Sequence, residues 1–118
     1  MSEKQKQKYY FDDEVPLFAP GQVVRHRRYG YRGVIVDFDM RCLADDEWYS
    51  ANRSQPQRDQ PWYHVMVDGS TAITYAAQDN LLADDSSQPV DHPLVEQFFE
   101  RMQRGRYERN DEIWPGWG

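Results

Sequence analysis

A mainly β domain is the expected fold: a small five-stranded barrel with a C-terminal helix and a flexible N-terminal arm. Three features predict it. Short apolar runs of strand length fall within residues 22–27, 31–38 and 62–67, with Val34, Val36 and Phe38 alternating along the second. Glycine-bearing turns, above all Asp68-Gly69, separate the runs. After Asp84-Asp85-Ser86-Ser87 the apolar spacing changes from two residues to four, the period of a helix.

Residues 1–16 read as the arm. Lysines come first, then Tyr9-Tyr10-Phe11, then Asp12-Asp13-Glu14, closed by Pro16, and the charged flanks favour disorder. The barrel is expected over 17–84. Pro20-Gly21 marks its start, with Val23 and Val24 in the first strand. Val34, Val36 and Phe38 alternate along the second and are expected to share one face. Gly30 supplies turn freedom between the two, and Gly33 marks a bulge or a close backbone approach.

The polar connection over 39–60 is long for a small domain, and Trp48 and Tyr49 are expected to pin it back to the barrel. In the third strand Tyr63, Val65 and Val67 share one face, and Trp62, His64 and Met66 the other. Thr71 to Tyr75 form the fourth strand, Ala76 to Asp79 a helical turn, and Asn80 to Leu82 the last strand. Five short strands, a long early loop and one late turn suit an SH3-like barrel.

The helix is expected over 91–106. Asp91 caps it, Pro93 fits its first turn, and Leu94, Phe98 and Met102 form a stripe that Val95 and Phe99 widen. Arg101, Arg104 and Arg106 suit its C-terminal end, and Gly105 is its stop. An aromatic tail, 107–118, carries Trp114 and Trp117.

At 118 residues the chain is one domain plus tails. Lys plus Arg total 14 against 20 Asp plus Glu, a formal net charge of −6, which works against generic attraction to nucleic acid or anionic membrane. The charge is unevenly spread. Residues 25–41 hold arginines 25, 27, 28, 32 and 41, whereas 42–100 are acidic and offset only by Arg53 and Arg58. Screening over about 8 Å at physiological salt lets such a tip bind an anion on an acidic protein. Cys42 is the single cysteine, which excludes an internal disulfide or a Cys-based zinc site. A polar N-terminus without an apolar run predicts a soluble, cytoplasmic protein.

Arg25, Arg27, Arg28 and Arg32 crowd the first connection beside Tyr29 and Tyr31. Arginine forks suit phosphate, and tyrosine rings suit a base or a methyl group projecting into the major groove. The competing reading is a solvated hairpin whose arginines pair with nearby acids. His26, His64 and His92 lack any ligand spacing, so no metal is expected, and no cofactor. Neither a nucleophile elbow, a P-loop nor a Gly-rich fingerprint occurs, so a non-enzymatic role is expected. Phe98, Phe99, Trp114 and Trp117 either cover an open end of the barrel or bind a protein partner. Barrel edges leave self-association open.

The order Gly21-Gln22-Val23-Val24-Arg25-His26, Gly30-Tyr31-Arg32-Gly33-Val34-Ile35-Val36-Asp37, Pro61-Trp62-Tyr63-His64-Val65 and Thr74-Tyr75 resembles the hemimethylated-DNA-binding (YccV-like) family. The family includes the heat-shock protein HspQ, and the resemblance covers roughly 18–82. It implies the SH3-like barrel and DNA binding of the hemimethylated-duplex type through the arginine hairpin. Through HspQ it also implies an alternative, an adaptor in stress proteostasis that modulates an ATP-dependent protease of the Lon type or meets its clients. The Asp39–Gln60 insert, the arm and the C-terminal extension depart from the family pattern.

Overall fold

The computed structural model describes residues 15–116, so the arm over 1–16 lies almost wholly outside the described residues, as does Trp117. Five strands form one antiparallel sheet: β1 (Val23–His26), β2 (Arg32–Asp39), β3 (Trp62–Val67), β4 (Ile73–Ala77) and β5 (Leu81–Ala83). Their spatial order is β4-β3-β2-β1-β5. The edge strands β4 and β5 are joined by a single 3₁₀ turn, Gln78–Asn80. In a flat sheet, four strand spacings of about 4.8 Å would hold these edges about 19 Å apart. The four Cα steps from Ala77 to Leu81 reach at most about 14 Å. The sheet therefore curls, but β4 and β5 exchange no ladder bonds and the expected closed barrel is not formed.

Both faces of the sheet are covered, which is why β2 reads as a nearly continuous apolar run. Val23, Val34, Val36 and Met66 pack on one side, Val24, Ile35, Tyr63, Val65 and Leu81 on the other. The expectation that Phe38 shares a face with Val34 and Val36 fails for a definite reason. Opposite Val65 and His64 stand Ile35 and Asp37, so Val36 is an extra residue in the β2–β3 ladder. This bulge turns Phe38 to the Tyr63 side, with ring centroids 5.8 Å apart. Gly33 is not the bulge. It is a close approach, where a Cβ would strike the Met66 carbonyl oxygen.

Residues 39–60 are not structureless. They contain α1 (Asp46–Ala51), capped by Asp45, whose carboxylate accepts from Trp48 N at 2.8 Å. Trp48 and Tyr49 project from α1 onto Trp62 and pin the segment as expected, with centroids 6.1 and 6.5 Å from the Trp62 ring.

The helix expected over 91–106 is replaced by one turn, α2 (Val95–Phe98), and a hairpin, β6 (Phe99–Gln103) and β7 (Arg106–Arg109). The physical reason lies in Arg104-Gly105. Both adopt positive φ, 58° and 76°, the geometry of a two-residue hairpin turn, so Gly105 turns a hairpin instead of stopping a helix. The hairpin covers the Val23–Val34–Val36 face with Phe99 and Tyr107. Tyr107 N donates to Gly21 O at 2.8 Å, and Arg109 Nε donates to Val36 O at 3.0 Å.

Candidate nucleic-acid interface

The connection from β1 to β2 is built around His26. Its ring is buried, and Nδ1 accepts from the backbone N–H of Arg28 and of Tyr29, each at 3.1 Å. Gly30 N donates to His26 O and His26 N donates to Tyr31 O, closing the turn. Two bonds received at Nδ1 place the proton on Nε2. Burial, with the nearby Arg28 charge, holds the imidazole below its ordinary pKa and keeps it neutral. Tyr29 and Tyr31 stack on this ring at 4.7 and 5.1 Å.

The four arginines of the tip part company. Arg32, whose side chain is 13% exposed, reaches Asp84 at 3.1 Å and Asp68 at 3.0 Å and donates to the carbonyls of Gln88 and Pro89. Burial works against its charge, but the two carboxylates outweigh it and raise its pKa. Arg32 thus ties the sheet to residues 84–91 and has little left to offer a phosphate. Arg25 is intermediate, bonded to Gly30 O at 2.9 Å and 3.5 Å from Asp84. Arg27 and Arg28 are exposed, and among the described residues no carboxylate lies within ion-pair distance of either. Arg27 Nε donates to the backbone oxygen of Asp79 at 2.9 Å, and among the described residues its terminal nitrogens make no hydrogen bond. The Arg28 guanidinium lies 6.0 Å from the centre of the Tyr29 ring.

The tyrosines also divide. Tyr29 is 54% exposed. Tyr31 turns inward, its hydroxyl 2.7 Å from Thr74 Oγ1 on β4, and burial raises its pKa.

Beside the tip the sheet carries a cavity of about 570 Å³. His26, Tyr29 and Tyr31 form one wall, and Trp48, Trp62 and Tyr75 another. The second wall is an aromatic cluster: Trp62 and Tyr75 are 5.3 Å apart, and Trp48 meets Tyr75 edge-on at 5.7 Å. Asp39 lies behind it, accepting from the Tyr75 hydroxyl at 2.7 Å and facing His64 Nε2 at 3.4 Å. Burial lowers the His64 pKa despite Asp39, so the contact near neutral pH is a hydrogen bond to a neutral ring.

Phe98 and Phe99 are each 3% exposed and belong to the core cluster that covers the sheet. Trp114 stands edge-on to Phe98 at 5.2 Å and lines the cavity. Its buried Nε1 has no hydrogen-bond partner among the described residues. The sequence reading missed the cavity wall. Alternation had put Trp62 and His64 on one face, but the arrival of Trp48 and Trp114 depends on segments distant in the chain.

The family described as "Hemimethylated DNA-binding protein YccV like" matches residues 16–106, reaching past the sheet into the β6–β7 hairpin. F-box only protein 21 of Mus musculus is 35% identical over 100 residues, and its counterparts in Pongo abelii and Homo sapiens are 34% identical. Each alignment covers 81% of this chain and 16% of the relative.

Proposed function

The chain belongs to the YccV-like family, and from that premise we propose that it is a DNA-binding module of the hemimethylated-DNA-binding type, acting through Arg27, Arg28 and Tyr29. The observation that carries the reading is the pair of exposed guanidiniums with no carboxylate partner among the described residues, held on a turn that His26 organises. A rigid turn lowers the ordering cost of two long side chains on binding. Both arginines engage phosphates, and the Tyr29 ring packs against a base edge or a methyl group in the major groove. Arg25 supports the turn through Gly30 O, while Arg32 holds the scaffold.

The test is fluorescence anisotropy with matched unmethylated, hemimethylated and fully methylated duplexes over a salt series. Tighter binding of the hemimethylated duplex is expected. Equal binding of all three removes the methylation preference, and no binding at low salt removes the DNA reading.

A protein-interaction adaptor, for example of an ATP-dependent protease, is the second reading. It is favoured by the net charge of −6 and by the outer edge of β4, which no described strand pairs. An extended peptide can add to such an edge.

A further inference from the structure

We propose that the aromatic cavity beside the arginine hairpin receives a single unstacked nucleobase, drawn from the strand whose phosphates the hairpin holds. The inference rests on the DNA reading above and adds a site to it. Tyr29 links the two, since it lines the cavity while carrying the Arg28 guanidinium 6.0 Å from its ring centre. Arg27 is fastened to Asp79 O, one residue before Asn80 on the cavity rim.

The shape and chemistry of the walls suit a flat aromatic ring. The cavity, about 570 Å³, falls within the usual range for small-molecule pockets. Aromatic side chains on both walls offer π-faces for stacking, which every base can use. Asn52, Ser54, Thr74 and Asn80 also line it; Thr74 Oγ1 meets Tyr31 and Ser54 donates to Asn52 Oδ1, while the side-chain amides of Asn52 and Asn80 are of the kind that read a base edge.

Charge decides between occupants. Aromatic cages also take methylated ammonium groups. Among the described residues no carboxylate lines the cavity, Asp39 is engaged behind it by Tyr75, and Arg27 and Arg28 are held beside Asn80 and Tyr29 of its lining. That field repels a cation and attracts an aromatic group attached to phosphate. A base inside a duplex must first leave its stack, which costs least where pairing is already broken.

The experiment compares binding of a matched duplex with one carrying a single mismatch, for the wild-type chain and two variants. Trp48→Ala removes a wall, whereas Ile73→Trp fills the rim from a half-exposed edge-strand position that suits an aromatic residue. Thermal melting checks that each variant is folded. The mismatched duplex is expected to bind about ten-fold tighter than the matched one to wild type. In Ile73→Trp the two should differ by less than about two-fold while matched-duplex binding is kept, because the arginines are untouched. Equal binding of both duplexes by wild type overturns the cavity proposal alone. So does an undiminished mismatch preference in folded Ile73→Trp. Failure to bind either duplex at low salt overturns the DNA reading and the proposal together.

Discussion

Arg32 Nε lies 3.1 Å from Asp84 Oδ2, and the two side chains are only 13% and 7% exposed. The pair joins β2 to the segment after β5, and Asp68 completes it from the end of β3 at 3.0 Å. An arginine that reads in sequence as part of a basic tip is therefore a structural cross-link. Arg32→Ala leaves Asp84 with a weakened set of partners and is expected to destabilise the fold by about 3 kcal/mol. Arg32→Lys should recover little, because a point charge cannot reproduce the fork. Urea denaturation measures both, and a loss below about 0.5 kcal/mol for Arg32→Ala, the range of ordinary surface changes, would refute the role.

Arg27 and Arg28 should behave in the opposite way. Their joint replacement by alanine is expected to leave thermal stability nearly unchanged, since neither makes an ion pair among the described residues. If each neutralises one phosphate, the slope of log affinity against log salt falls in size by about 1.8. An unaltered slope in the folded double variant would show that the phosphate contacts lie elsewhere.

Protonation should loosen the tip. The folded pKa of His26 is depressed below its ordinary 6.5, chiefly by burial, and that of His64 likewise. For a histidine lowered in this way, the unfolded chain takes up protons first as pH falls through about 6.5, so stability is lost toward acid and regained above that value. Asp68 and Asp84 are shifted downward too, Asp68 mainly by the bond from Asp91 N, Asp84 by Ser86 and Arg32 against its burial. Their contribution is present above 3.8 and disappears at lower pH, as the carboxylates take up protons. The urea midpoint should therefore drop between about pH 7.5 and about pH 5.5, and His26→Asn should flatten part of the drop. Identical profiles for the two proteins would rule His26 out as a source.

Gly21 is the point on which the C-terminal hairpin rests. It adopts φ of 95°, and a Cβ there would fall against the Tyr107 carbonyl oxygen, backbone that cannot swing aside. Gly21→Ala should cost about 3 kcal/mol or more, combining strain with displacement of the hairpin. Gly30, at φ of 77° but with nothing near its Cβ position, should lose only about 1–2 kcal/mol on the same change. Hydrogen exchange adds a spatial readout: the amide of Tyr107 should lose protection in Gly21→Ala and keep it in Gly30→Ala. Equal behaviour of the two variants would contradict this account.

Local sequence determined most of the sheet. Alternation placed Tyr63 and Val65 opposite Trp62 and Met66, glycine turns marked where strands reverse, and the family motifs stood within these strands. These are properties of neighbouring residues, and a period of two is visible in a short window. Tertiary structure alone decided three matters. The bulge at Val36 turned Phe38 to the other face, because register is set by the partner strand. The stripe Leu94–Phe98–Met102 became a turn and a hairpin, because burying Phe99 and Tyr107 on the sheet outweighed a helical spacing. Finally, the arginines of one short tip were divided into a buried cross-link, Arg32, and a solvent-facing pair, Arg27 and Arg28. Which guanidinium meets a carboxylate depends on where Asp68 and Asp84 arrive from distant parts of the chain, and no local pattern records that position.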